Sequence, residues 1–266
     1  MIPNRPVAAK QAILPPIDDP TVHAEIERLA RRYLDAGGIA MSLLHSVGGQ
    51  AETLIERLPK PLRKRIDVVT HAALGRAFDA ASRSRRVMRD RGEWFNRLLS
   101  SVSGAAGGVA GLPGAMVELP LTVTLLLRAI LDIAAEHGFD PESEAVRIEA
   151  LQVLATAGPL AEDDATDLGL LAARLTITGQ TVNGLIGKVA PKLAASLAQK
   201  LGAQALPLLG AAAGATINYT FTRYYQELAR VNFGLMRLER ETGLPRAALD
   251  EGFGLAVGRM RAGRRG

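Results

Sequence analysis

From Leu98 to Val117 the chain carries no charged residue for twenty positions, and from Leu201 to Thr222 it again carries none. Glu118 is the single charge in the stretch "SGAAGGVAGLPGAMVELPLTVTLLL", Ser103 to Leu127. Segments this poor in charge must be covered, either by other parts of the protein or by lipid. Both are rich in Gly and Ala, and Pro113, Pro120 and Pro207 interrupt them. Small side chains let helix backbones approach closely, whereas strands select the β-branched and aromatic residues. Aromatic residues are only 4% of the chain. The expected fold is therefore all-α: a single multi-helix domain whose two Gly/Ala-rich, Pro-interrupted apolar blocks pack together. Gly107 and Gly111 would then face Gly210 and Gly214.

The remaining segments read as amphipathic helices. Thr21 is placed to cap "VHAEIERLARRYLDA", which Gly37-Gly38 is expected to stop, and Ile39 to Leu58 forms a second segment. Pro61 opens a helix in which Leu62, Ile66, Val69, Ala73 and Ala77 form one apolar stripe. A helix from Leu121 to His137 follows the prolines and ends at Gly138, and Pro141 starts the next. A further helix spans "AEDDATDLGLLAARLTITG", and Gly179 to Gly187 is a loose connection before a helix from Lys188 to Gln204. The most regular segment comes last. Ile217, Phe221, Tyr224, Leu228, Val231, Leu235 and Leu238 recur at alternating steps of four and three, a packing seam that Thr242-Gly243 and Pro245 end. Residues 1–18, which hold most of the N-terminal prolines, read as a flexible arm, 19–258 as the helical domain and 259–266 as a basic tail.

Net charge is +5, but it is unevenly placed. Lys60 to Arg97 has eleven basic residues against four acidic ones, and Asp132 to Asp167 has ten acidic residues and one arginine. Arg83, Arg85, Arg86, Arg89 and Arg91 fall within nine residues, just ahead of Trp94-Phe95 and the first uncharged block. A basic helix end, an aromatic pair and an apolar run in that order suit the boundary of an anionic bilayer. Few aromatics are interleaved with the basic residues, which argues against nucleic acid. As a transmembrane span the first block is weak, since Ser, Gly and Ala contribute little transfer free energy.

Catalytic signatures fail one by one. There is no Cys, so disulfides, thiolate metal sites and cysteine nucleophiles are excluded. Gly187-Lys188 is followed by Val189 rather than Ser or Thr, so a phosphate loop fails. No dinucleotide glycine pattern, H-E-x-x-H or G-x-S-x-G occurs. His23, His45, His71 and His137 are scattered, and His137 suits the C-terminal end of its helix. No metal or cofactor is expected. Inside the apolar blocks, Glu118 needs a partner, which Asn218 or Arg223 would supply, and Asn218 is expected to hydrogen-bond across helices.

Two segments together resemble the EcsC family. The first, Gly107 to Pro141, carries the kink Gly111-Leu112-Pro113-Gly114 and the "A-x-x-x-G-x-D" ending from Ala134 to Asp140. The second, Lys188 to Phe233, carries Pro207, Gly210-Ala211 and Asn218. With the helices between, the resemblance covers most of Pro61 to Leu238. The family is named for a protein encoded beside a bacterial ABC transporter, and no catalytic residue carries over from it. The same pattern resembles the membrane-associated helical region of some bacterial GTPases, although this chain has no GTPase motif. The resemblance and the charge pattern lead to one expectation: a non-enzymatic, cytoplasmic-side protein, peripheral to the inner membrane. Its partners would be an anionic membrane surface and a membrane transporter or other membrane protein. The alternatives are a soluble scaffold and, less favoured, a lipid- or peptide-directed hydrolase using Glu118, Asp132 or His137.

Overall fold

The computed structural model describes residues 17–46, 55, 56, 58–87, 111–156, 181–204 and 211–265. Among these residues there are seven helices and no strand: α1 (Pro20–Ser46), α2 (Lys60–Val87), α3 (Gly111–Glu136), α4 (Glu144–Leu154), α5 (Val182–Gln204), α6 (Ala211–Thr242) and α7 (Arg246–Arg265). The chain is an all-α, single-domain protein.

The 32-residue α6 is the axis. Its seam is buried as the spacing requires: Ile217, Phe221, Leu228, Val231, Leu235 and Leu238 are all covered, and Tyr224 is half-buried. α1 and α7 pack on α6 and on each other, α3, α4 and α5 also pack on α6, and α2 lies across α3 and α5. The expected stripe of α2 is found inward at Ile66, Ala73 and Ala77, with Val69 partly buried. One continuous core joins the helices, from Val22 and Ile26 on α1 to Phe253 and Val257 on α7. α3 and α6, which carry parts of the two apolar blocks, pack on each other. Gly107 and Gly210 lie outside the described residues, as do the side-chain surroundings of Gly111 and Gly214, and so does the helix expected over Ala161–Gly179.

Several boundaries differ from the sequence expectation. Asp19, not Thr21, caps α1: its carboxylate accepts from the Thr21 backbone N–H and hydroxyl, both at 2.7 Å. Pro20 then takes the first helical position, where no N–H is needed. Gly37-Gly38 does not stop α1, which runs on to Ser46. Neither glycine has a positive φ, and an interior glycine costs a helix only about 1 kcal/mol relative to alanine. α3 likewise runs through Pro120. Proline removes one interior N–H, and here the Pro120 carbonyl accepts from the Thr124 hydroxyl at 2.8 Å as the helix continues. α5 starts at Val182 and absorbs the Gly184–Gly187 stretch expected to be a loop. Pro141 precedes α4 rather than opening it. The Asp140 side chain accepts from the Glu142 N–H, and the Ser143 hydroxyl caps the helix by accepting from Val146.

The α3–α4 corner shows what the "A-x-x-x-G-x-D" pattern does. The Ala134 carbonyl accepts from Phe139 N–H at 3.0 Å, and Gly138 takes φ +77, a left-handed closure of the helix end. Asp140 then starts the turn into α4. From α6, Arg240 donates to the carbonyls of Gly138 (2.9 Å) and His137 (3.1 Å) while its guanidinium lies 4.5 Å from the Phe139 ring centre. The pattern is a helix stop and a corner, clamped by a cation at a helix C-terminus.

Candidate anion-binding groove

Helical spacing puts Arg28, Arg31, Arg32, Asp35 and Ala36 on one face of α1, and Arg223 and Glu227 one turn apart on α6. Where α1 packs on α6 these residues line an open groove of about 340 Å³. Four arginines face two carboxylates there, so the lining is cationic.

Both groove carboxylates are already engaged by arginine. Arg32 donates to Glu227 across the groove at 2.7 Å, and Arg230 takes the other oxygen of Glu227 at 3.1 Å. Arg264, near the end of α7, pairs with Asp35 at 2.9 Å. Just outside, Glu25 accepts two bonds of 2.6 Å from Arg28 and one of 2.9 Å from Arg237. The hydrogen bonds from Arg28 hold the Glu25 carboxyl below its ordinary pKa, against partial burial, and the charges of Arg28 and Arg237 act the same way. Arg31 and Arg223 are different. Both are exposed, and among the described residues neither forms an ion pair. Tyr219, one turn before Arg223 and 57% exposed, continues the same face of α6.

Of the site residues expected from sequence, Arg223 is the one that lies in this groove. Arg83, Arg85 and Arg86 belong to the last turn of α2, but their side chains lie outside the described residues, as do Arg89, Arg91, Trp94 and Phe95. Glu118 is within α3 and its side chain also lies outside them. Asn218 is half-buried on α6. Asp132 lies 3.7 Å from the almost fully buried Arg128, one turn back on α3. The His137 Nδ1 lies 2.8 Å from the Ile133 carbonyl, within α3 itself. These two contacts are local, each to the preceding turn of α3. Among the described residues no group of His, Asp and Glu is arranged to hold a metal ion, and no helix is long and apolar enough to cross a membrane.

A second polar constellation was not anticipated. The Asn232 side chain, 1% exposed on α6, donates to Glu149 of α4 at 2.9 Å and accepts from Arg246 of α7 at 2.9 Å. Arg246 also donates to Asp250 at 2.7 Å, and its Nη1 is buried without a hydrogen-bond partner. Asn232 stands one turn from both Leu228 and Leu235, a polar residue in the phase of the seam. That was the available signal. The network joins three helices through buried side chains, so its place is in the architecture.

A model of the EcsC protein family matches residues 83–238, more than half of the chain. The chain belongs to the EcsC protein family. No curated protein and no solved structure matches it. The EcsC match begins at Arg83 near the end of α2 and closes at Leu238, the last residue of the seam. It therefore contains the corner at Gly138 and the Arg223–Glu227 wall of the groove. The α1 wall and α7 lie outside it.

Proposed function

We propose that this EcsC-family protein is a non-catalytic, peripheral membrane-binding protein of the cytoplasmic side, accessory to a membrane transport system, and that its arginine groove meets anionic headgroups. The observation that carries this reading is the pair Arg31 and Arg223. They are two exposed cations on facing helices, in a groove whose carboxylates are engaged by other arginines. Tyr219 beside them is the kind of amphipathic ring that favours a bilayer interface. The Arg83–Arg91 cluster and Trp94-Phe95 add the same chemistry in sequence. Each basic residue near an anionic surface contributes about 1 kcal/mol, so several together give appreciable, salt-sensitive binding.

Co-sedimentation with vesicles tests this. The protein is expected to pellet with vesicles containing phosphatidylserine at low salt, to release as salt rises, and to ignore neutral vesicles. Replacing Arg83, Arg85, Arg86, Arg89 and Arg91 together by Gln should weaken binding while leaving the fold intact. A protein that ignores anionic vesicles even at low salt would instead be a soluble scaffold.

A further inference from the structure

We infer that the groove between α1 and α6 is a specific site for a phosphate monoester dianion, held by Arg31 and Arg223. The argument is one of charge and donor geometry. Four arginines and two carboxylates line the groove, which leaves an excess matching the charge of about −2 that a phosphate monoester carries. The fixed charges are arranged so that little of this excess is spent internally. Glu227 is shared between Arg32 and Arg230, and Asp35, which would repel an anion, is neutralised by Arg264 from α7. Arg28 is turned to Glu25. That leaves two guanidinium groups, one on each wall, as the donors open to a ligand.

Guanidinium is the group best matched to phosphate, because its planar fork offers parallel N–H donors to two oxygens at once. One fork on each wall suits a tetrahedral group with three free oxygens better than a planar carboxylate with two. Among the longer side chains that line the groove, Ala36 contributes only a methyl group. The volume of about 340 Å³ exceeds a bare phosphate and accommodates a small ester group. The assignment rests on the membrane reading only for the source of the phosphate, a lipid headgroup such as that of phosphatidic acid.

The test compares two double variants, Arg31→Gln/Arg223→Gln and Arg31→Lys/Arg223→Lys, with the charge-matched control Lys188→Gln/Lys192→Gln on the exposed side of α5. All six substitutions fall at exposed positions, and thermal melting is the check that each variant folds. Vesicles containing phosphatidic acid are compared with phosphatidylserine vesicles of equal zeta potential, and glycerol 3-phosphate is titrated calorimetrically. The expected result is tighter binding to phosphatidic acid, by roughly tenfold or more as two charge-assisted sites imply. That preference should be lost in the Gln pair, reduced in the Lys pair and kept in the control. Binding of glycerol 3-phosphate without binding of vesicles would keep the groove and overturn the membrane reading. Equal binding of the two lipids, or a preference that survives the Gln pair, would overturn the groove and leave the membrane reading standing. Binding to neither vesicles nor glycerol 3-phosphate would overturn both.

Discussion

Asn232 shows how much one side chain decides in this bundle. Its carboxamide donates to Glu149 and accepts from Arg246, so α4, α6 and α7 meet at a single residue. Removing it would take one hydrogen bond from a buried carboxylate and one from a buried guanidinium at once, and hydrogen bonds to charged groups are worth more than those between neutral ones. We expect Asn232→Leu to destabilise the protein by about 3 kcal/mol in urea denaturation, although leucine suits the seam by size. His137 carries a second residue-scale prediction. Burial lowers its pKa from the ordinary 6.5, against the bond to the Ile133 carbonyl, with Arg237 and Arg230 also lowering it and Glu136 raising it. A histidine with a depressed folded pKa binds its proton in the unfolded chain first. Stability is therefore lost as pH falls through 6.5, and the loss stops growing below the folded value. The urea midpoint of His137→Gln should accordingly drop less between pH 7.5 and pH 5.5 than that of the parent.

At the scale of elements, helix identity was legible, while several helix limits were not. The α6 seam and the α2 stripe could be read because apolar periodicity is written along the chain and burial follows it directly. The ends depended on competition between neighbouring groups. Asp19 outcompeted Thr21 because its carboxylate reaches both Thr21 donors, and α1 and α3 ran through glycines and a proline because propensity is a weak term beside packing. Where glycine did end a helix, backbone sign decided. Gly243 closes α6 at φ +70, and a Cβ there would meet nothing within 4 Å, so the position isolates the conformational cost from any clash. Gly243→Ala is expected to lower stability by about 1–2 kcal/mol in thermal or urea unfolding. Gly243→Asn should cost less, since asparagine tolerates the left-handed region better.

The whole molecule is larger than the EcsC match at its centre. α1 and α7 lie outside residues 83–238, yet Ile26, Leu29, Leu249 and Phe253 are fully covered, and both helices cover α6. Phe253 is 0% exposed and stacks edge-on with Tyr33 of α1 at 5.7 Å. Truncating it to alanine should cost about 3–5 kcal/mol. A fragment limited to residues 83–238 should fail to unfold cooperatively and should bind a hydrophobic dye, because the α1- and α7-facing surfaces of α6 would be bare. The sequence by itself determined the helical class, the seam of α6, the closures at Gly138 and Gly243, and the family. Each of these depends on residues close together in the chain. The arginine groove and the Glu149–Asn232–Arg246 network were decided by tertiary structure alone. Arg32 and Glu227 stand 195 positions apart, and Glu149 and Asn232 stand 83 apart, so each pairing exists only once α1, α4 and α7 have docked on α6. Local periodicity tells which face of a helix is covered. Which helix covers it, and therefore which charges meet, follows from how the apolar faces of distant helices fit together.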